Sequence, residues 1–222
     1  VTETESSSHA GPWERKKRQA MRHIQGVAFD LFDELGYRAV AVDRVAATAG
    51  VSPSSIYRYF GTKEMLVLYD EFDQQLLELL ERAGGGDLMR PLDLLEAARA
   101  AVPTLLDVVL SGGGENQFKR RMRYVLTEPD VKAGLTRQTE DLEASIRAVA
   151  ARRSGTDPDD LTIRIATTSA AWAFNAAMDY WARSNFAEPL REVLRRATGI
   201  IIDGAEVQLA GLQLKTTSQT AM

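Results

Sequence analysis

Residues 42–63 read VDRVAATAGVSPSSIYRYFGTK, and the rest of the chain can be placed by working outward from them. Val42, Val45, Ala46 and Ala49 recur at i, i+3, i+4 and i+7, which lays one apolar stripe along a short helix. Gly50 follows where a helix end wants a left-handed residue, and Val51 can tuck back under that turn. Ser52 offers an N-cap oxygen, and Pro53 falls at the first helical position, where its missing N–H costs nothing. Ile56 and Phe60, four apart, face inward, which leaves Ser54, Ser55, Arg58 and Tyr59 pointing out. Thr62, followed by Lys63-Glu64, opens another helix at once. The pattern is a helix-turn-helix whose second helix carries small, hydroxylated and basic groups on its free face.

Seryl hydroxyls, a tyrosyl OH, a guanidinium and a nearby ammonium can reach phosphate oxygens and base edges with no bulky apolar group in the way. The helix read over 62–83 begins beside that surface, so its first N–H groups could hold a phosphate. By pattern alone, the stretch also fits a polar helical hairpin on the surface of any all-α protein.

The distribution of charge supports the first reading without deciding between them. The whole chain carries −4, yet residues 15–63 hold nine cations (Arg15, Lys16, Lys17, Arg18, Arg22, Arg38, Arg44, Arg58, Lys63) against four acids (Asp30, Asp33, Glu34, Asp43), a net of +5. The remainder carries 18 basic and 27 acidic residues, a net of −9. A basic N-terminal unit on an acidic body suits a DNA reader with a separate regulatory part. No cysteine is present, which excludes disulfide frameworks and thiolate metal sites. His9 and His23 are too few and too poorly spaced for a histidine metal site, so neither metal nor cofactor is assigned. No apolar run approaches the length of a membrane span and the start lacks a signal pattern, so the expectation is a soluble, cytoplasmic protein without membrane contact. Residue 1 is Val, so the native initiator region is expected to be absent.

The fold class expected is all-α, about nine helices in total, with a three-helix N-terminal unit and a C-terminal helical bundle. Residues 1–12 read as a disordered tail, 13–61 as the helix-turn-helix domain, 62–212 as the bundle and 213–222 as a frayed end. A basic run, Arg15-Lys16-Lys17-Arg18, follows Trp13 and reads equally as a solvated helix start or as a phosphate contact at the duplex edge. The first helix runs to Leu35 with Ile24, Val27, Ala28, Leu31, Phe32 and Leu35 inward, and Gly36 ends it. The helix over 62–83 is long enough to carry a signal from the DNA-facing unit into the body. Gly84-Gly85-Gly86 and Gly112-Gly113-Gly114 are loops, and Pro103 kinks or breaks a helix over 91–109. Within a helix over 115–127, Lys119, Arg120, Arg121 and Arg123 form a basic patch, read as a solvated face ahead of an anchor for an acidic ligand. A further helix runs from Asp130 to about Arg153. Asp157 and Pro158 cap and start a helix over 158–184 that is apolar almost all round and must be covered on several sides. Small residues in the last helix, over 189–212, allow close approach, and two such helices meeting their symmetry mates make an isologous homodimer contact.

From about Ala20 to Lys63 the chain resembles the DNA-binding domain of TetR-family transcriptional regulators. The residues that carry this are Ala28, Leu31, Phe32, Gly36-Tyr37, Val42, Val45-Ala46, Ala49-Gly50-Val51-Ser52, Ile56-Tyr57, Tyr59-Phe60 and Lys63-Glu64. The resemblance implies that Ser54, Ser55 and Tyr59 lie toward base edges with Arg58 nearby, and that Tyr57, Lys63 and Ser52 lie toward phosphates. Ala41 stands where a capping Ser or Thr is usual and Asp43 adds an anion, which leaves Arg44 as the contact from the helix over 42–49. It also implies a homodimeric repressor on a palindromic double-stranded operator. A small-molecule effector would bind among the helices between 62 and 184. Candidate effector residues are Phe118, Met122, Trp172, Phe174, Asn175, Met178 and Asp179, an apolar and aromatic set that favours a hydrophobic ligand such as a lipid-like acyl group. Asn175 and Asp179 stand out because polar groups on so apolar a helix need partners. An enzyme, or a helical carrier with a vestigial helix-turn-helix, is the alternative. No Ser-His-Asp or Cys-His set supports catalysis.

Overall fold

The computed structural model describes residues 11–69, 72–82, 106–107, 110, 114–201 and 203–204, and every element among the described residues is helical. The tails 1–10 and 213–222, the glycine run 84–86, Pro103 and most of the helix expected over 91–109 lie outside the described residues, as do 205–212. The chain divides into two compact units, Val1–Tyr69 and Asp70–Met222, so the first reaches beyond the boundary drawn after residue 61.

In the first unit, α1 (Pro12–Leu35) opens on a proline at its N-terminus. Its inward face buries Met21, Ile24, Gln25, Ala28, Phe29, Leu31 and Phe32. Leu35, expected inward, is exposed. The chain leaves the helix at Gly36, and Tyr37, in a short 3-10 turn (Tyr37–Ala39), sets its ring edge-on to Phe32 at 5.0 Å. α2 (Val42–Ala49) and α3 (Pro53–Phe60) pack on each other, and α1 packs on α2. The predicted stripe Val42, Val45, Ala46 and Ala49 is buried, as are Ile56 and Phe60.

The single helix expected over 62–83 is two pieces. Gly61, at φ 75, leads into a turn, and α4 (Met65–Leu68) is only four residues long. Tyr69 is extended (ψ 128), and its carbonyl accepts a hydrogen bond from Gln25 Nε2 at 2.8 Å. A backbone turned out of the helical region at Tyr69 does not continue the helical ladder. Helix resumes as α5 (Phe72–Arg82), which belongs to the second unit.

That second unit holds α5, α6 (Gly114–Thr127), α7 (Pro129–Ser154), α8 (Leu161–Arg183) and a helical run α9 over 190–201. Gly114 thus opens a helix where a loop was expected. α7 packs on α5, α6 and α8, and α6 also packs on α8. Trp181, fully buried, anchors this core: its indole N–H donates to the Glu188 carbonyl at 2.8 Å, so the ring is buried without stranding its polar atom.

The start of α8 departs from expectation. Asp160, rather than Asp157, is the N-cap, its Oδ1 accepting from the N–H groups of Thr162 (2.8 Å) and Ile163 (3.3 Å). Pro158 instead occupies the second position of a β-turn closed by the Asp160 N–H on the Asp157 carbonyl at 2.9 Å. The side chain of Asp157 braces that turn through the Asp159 N–H at 2.8 Å. Proline suits both the first helical turn and the second turn position, and here the turn took it.

Candidate nucleic-acid interface

The angle between α2 and α3 is set by local hydrogen bonds. Gly50 adopts φ 69 and ψ 31, and the Val51 N–H reaches back to the Ala46 carbonyl at 3.0 Å, closing the helix end. An L side chain at that φ would cost roughly 1–2 kcal/mol, so glycine is what makes the corner cheap. The chain then enters α3 through Ser52, whose Oγ accepts the Ser55 N–H at 3.2 Å. Ser52 Oγ also lies 2.9 Å from both Ser54 Oγ and Ser55 Oγ. Three hydroxyls thus gather at the N-terminus of the helix, each able to donate or accept.

Buried Ile56 and Phe60 hold one side of α3 down and fix which residues face solvent. Ser54 and Arg58 are exposed, Ser55 and Tyr59 half-buried, and Tyr57 is 52% exposed. The Arg58 guanidinium lies 5.0 Å from the centre of the Tyr59 ring, which orients it along the helix surface. Arg44 is exposed on α2, where Ala41 caps with no side-chain hydrogen bond and Asp43 occupies the first turn. Lys63 is half-buried, and its ammonium donates to the Tyr37 carbonyl at 2.6 Å. The helix expected to open at Thr62 begins later in the chain. α4 starts at Met65, and Glu64 stands before it in helical conformation with no side-chain cap bond.

At the start of α1, Arg15 and Lys16 are exposed, and Lys17 Nζ lies 5.4 Å from the centre of the exposed Trp13 ring. The cations of α6 do not form one solvated face. Lys119 pairs with Glu115 at 3.0 Å, Arg123 lies 5.9 Å from the Phe186 ring centre, and Arg121 is buried.

The effector candidates occupy several environments. Phe118 and Met122 on α6 and Met178 on α8 are buried, and Phe174 is half-buried. Trp172 is 42% exposed on the outer side of α8. Asn175 finds a partner in Thr139 of α7, donating through Nδ2 at 2.5 Å. Asp179 pairs with Arg183 at 2.6 Å, a bond that holds the guanidinium above its ordinary pKa. Sequence reading missed the polar seam between α7 and α8, where buried Thr167 donates to Glu143 Oε1 at 2.6 Å. Threonines inside an alanine-rich helix were the available signal. It also missed Gln25, an amide standing among apolar residues of α1.

A small helical unit that buries one side of its second motif helix, and turns hydroxyls, tyrosines and an arginine outward on the other, defines a helix-turn-helix DNA-reading protein. The family model for bacterial regulatory proteins of the tetR family matches residues 24–69, and that for the MftR C-terminal domain matches residues 92–206. The chain belongs to the TetR family of bacterial transcriptional regulators. The HTH-type transcriptional regulator TcmR of Streptomyces glaucescens is 29% identical over 150 residues, 66% of each chain. The protein named MftR, from Mycobacterium tuberculosis, is 26% identical over 193 residues, 86% of this chain and 94% of its own. Among solved structures, native NalD of Pseudomonas aeruginosa superposes with a TM-score of 0.52 at 16% identity, covering 85% of this chain and 97% of that one, a likeness of fold. Among the described residues, no helix is long and apolar enough to cross a membrane.

Proposed function

We propose that this chain is a homodimeric repressor that leaves a palindromic operator when a small hydrophobic molecule binds its second unit. The observation that carries the DNA half is the outward face of α3, polar and open while Ile56 and Phe60 are buried beneath it. Ser54, Ser55 and Tyr59 read base edges with Arg58 beside them, Ser52, Tyr57 and Lys63 take phosphates, and Arg44 supplies the contact from α2.

One recognition helix of eight residues reads only a few base pairs, so useful specificity calls for two copies about 34 Å apart on one duplex face. Support for the pairing comes from α8. Leu161, Ile165, Trp172 and Tyr180 are all exposed and fall on one side of that helix, and Ile200 on α9 is 74% exposed. Large apolar groups left exposed along one side of a helix mark a protein contact, here a second copy meeting the first through α8 and α9. Trp172 then belongs to this seam, and Phe118, Met122, Phe174 and Met178, with Asn175 and Asp179, remain the residues for the effector. Such a ligand acts by preferring the arrangement that cannot engage DNA, and moving a 99:1 population to 1:99 takes a differential of about 5.5 kcal/mol. No catalytic role is assigned.

The test is to recover the duplex bound from DNA flanking the chain's own gene, map it by footprinting, and screen hydrophobic compounds for release. A two-fold symmetric footprint lost on adding a compound is the expected result. A chain that binds apolar compounds but treats every duplex alike is instead a carrier with an idle helix-turn-helix.

A further inference from the structure

Gln25 is 2% exposed and is the one amide or charged side chain buried in the first unit, among the described residues. Its Nε2 donates to the Tyr69 carbonyl at 2.8 Å, across 44 residues of chain. Tyr69 is the last residue of that unit, and its ring meets Phe60 edge-on at 5.6 Å between centres. Phe60 is the final, buried residue of α3, the helix that presents Ser54, Arg58 and Tyr59. One amide therefore connects α1 to the end of α4, and through one ring to the foot of the recognition helix.

We propose that Gln25 is a positioning residue for DNA reading: its amide holds the Tyr69 carbonyl, ends α4 at Leu68 and keeps the Tyr69 ring against Phe60. The proposal rests on α3 being the DNA-reading helix. Without that donor, the Tyr69 carbonyl takes a helical N–H instead, α4 runs on past Leu68, and the ring leaves the edge of Phe60. A part-buried acceptor stripped of its donor is costly, and continuing the helix is the local way to satisfy it. α3 then loses its support from behind, and only a fraction of molecules present the DNA-competent tilt. Apparent affinity falls by that fraction, so a chain competent about one-tenth of the time binds about tenfold more weakly. No group that touches DNA has changed, so base preference and salt dependence stay as they were.

The experiment uses the full chain and the duplex recovered from DNA flanking its gene. Gln25→Met keeps length and volume but removes the N–H donor. The expected result is about tenfold weaker binding, an unchanged salt slope, and movement of the backbone carbon shifts of residue 69 toward helical values by NMR. Tyr69→Leu keeps the carbonyl and removes the ring. It should weaken binding without moving those shifts, while Tyr69→Phe binds like wild type. Gln25→Met that binds as tightly as wild type, or that weakens binding with residue 69 still extended, overturns the proposal. Should Gln25→Met fail to fold, Tyr69→Leu at wild-type affinity overturns it instead. If wild type binds no duplex at all, it is the DNA reading that fails, and the carbon shifts of Gln25→Met still report whether the amide ends the helix.

Discussion

The Lys63 ammonium donates to the Tyr37 carbonyl at 2.6 Å and lies 4.3 Å from the centre of the same residue's ring. The centre of the Phe32 ring of α1 is 5.6 Å from the same ammonium. The lysine proposed for a phosphate contact thus also fastens the turn after α3 to the turn after α1. Lys63→Ala should lower the salt slope of operator binding by about one. It should also destabilise the first unit by about 1.5–3 kcal/mol through the lost charged hydrogen bond. Salt titrations and thermal unfolding separate the two effects, and an unchanged slope removes Lys63 from the phosphate contacts.

Ser52 and Ser54 are two residues apart and should respond differently. Ser52→Ala removes the acceptor for the Ser55 N–H, and should cost about 1 kcal/mol of stability together with operator affinity. Ser54→Ala leaves the cap intact and should alter affinity alone. Equal stability losses in denaturant titrations would contradict the assignment of Ser52 as the cap.

Arg58 lies over the exposed side of α3, its guanidinium above the Tyr59 ring and its Nη2 donating to the Tyr59 hydroxyl at 3.4 Å. Arg58→Ala should relax preference at one operator position by about 1–3 kcal/mol and leave the others intact. Binding to a panel of single-base operator variants is the measurement. A uniform loss across the panel would make Arg58 a backbone contact.

The exposed side of α8 gives a direct test of pairing. Ile165→Glu puts a carboxylate on a surface that is solvent-facing in one chain and would be buried in the proposed dimer, so the monomer should fold normally while sedimentation shows dissociation. Operator affinity should fall with it, because both half-sites can no longer be held at once. A variant that still sediments as a dimer moves the interface elsewhere.

Acid should loosen the corner between α8 and α9. The Glu188 carboxyl is held below its usual range, first by its hydrogen bonds with Arg196, at 2.6 and 3.2 Å, and also by the Tyr180 hydroxyl. A depressed carboxylate contributes stability that is present above its unfolded pKa and lost as pH falls through the folded value. Glu188→Gln should therefore lower stability at neutral pH and flatten its decline in acid. Parallel denaturation curves for wild type and variant across the acid range would show no such linkage.

The recognition motif was legible because each relationship that makes it is local. The stripe of α2, the left-handed Gly50, the Ser52 cap and the Ile56/Phe60 pair all link residues within a turn or two, and all stand where the periodicity put them. The start of α8 was misread for a related reason. Asp157-Pro158 is sound chemistry for a helix start and for a β-turn, and only the observed cap bonds of Asp160 distinguish them.

What the sequence determined by itself is therefore the helical class, the corner of the motif and the sign of charge on its first unit, since short-range sterics, capping and composition suffice for these. Tertiary structure decided where α4 stops, which side of α8 stays uncovered, and that Lys63 is tied to Tyr37. Each depends on a partner far along the chain, as Gln25 is for Tyr69 across 44 residues, and no local pattern specifies which distant group will arrive.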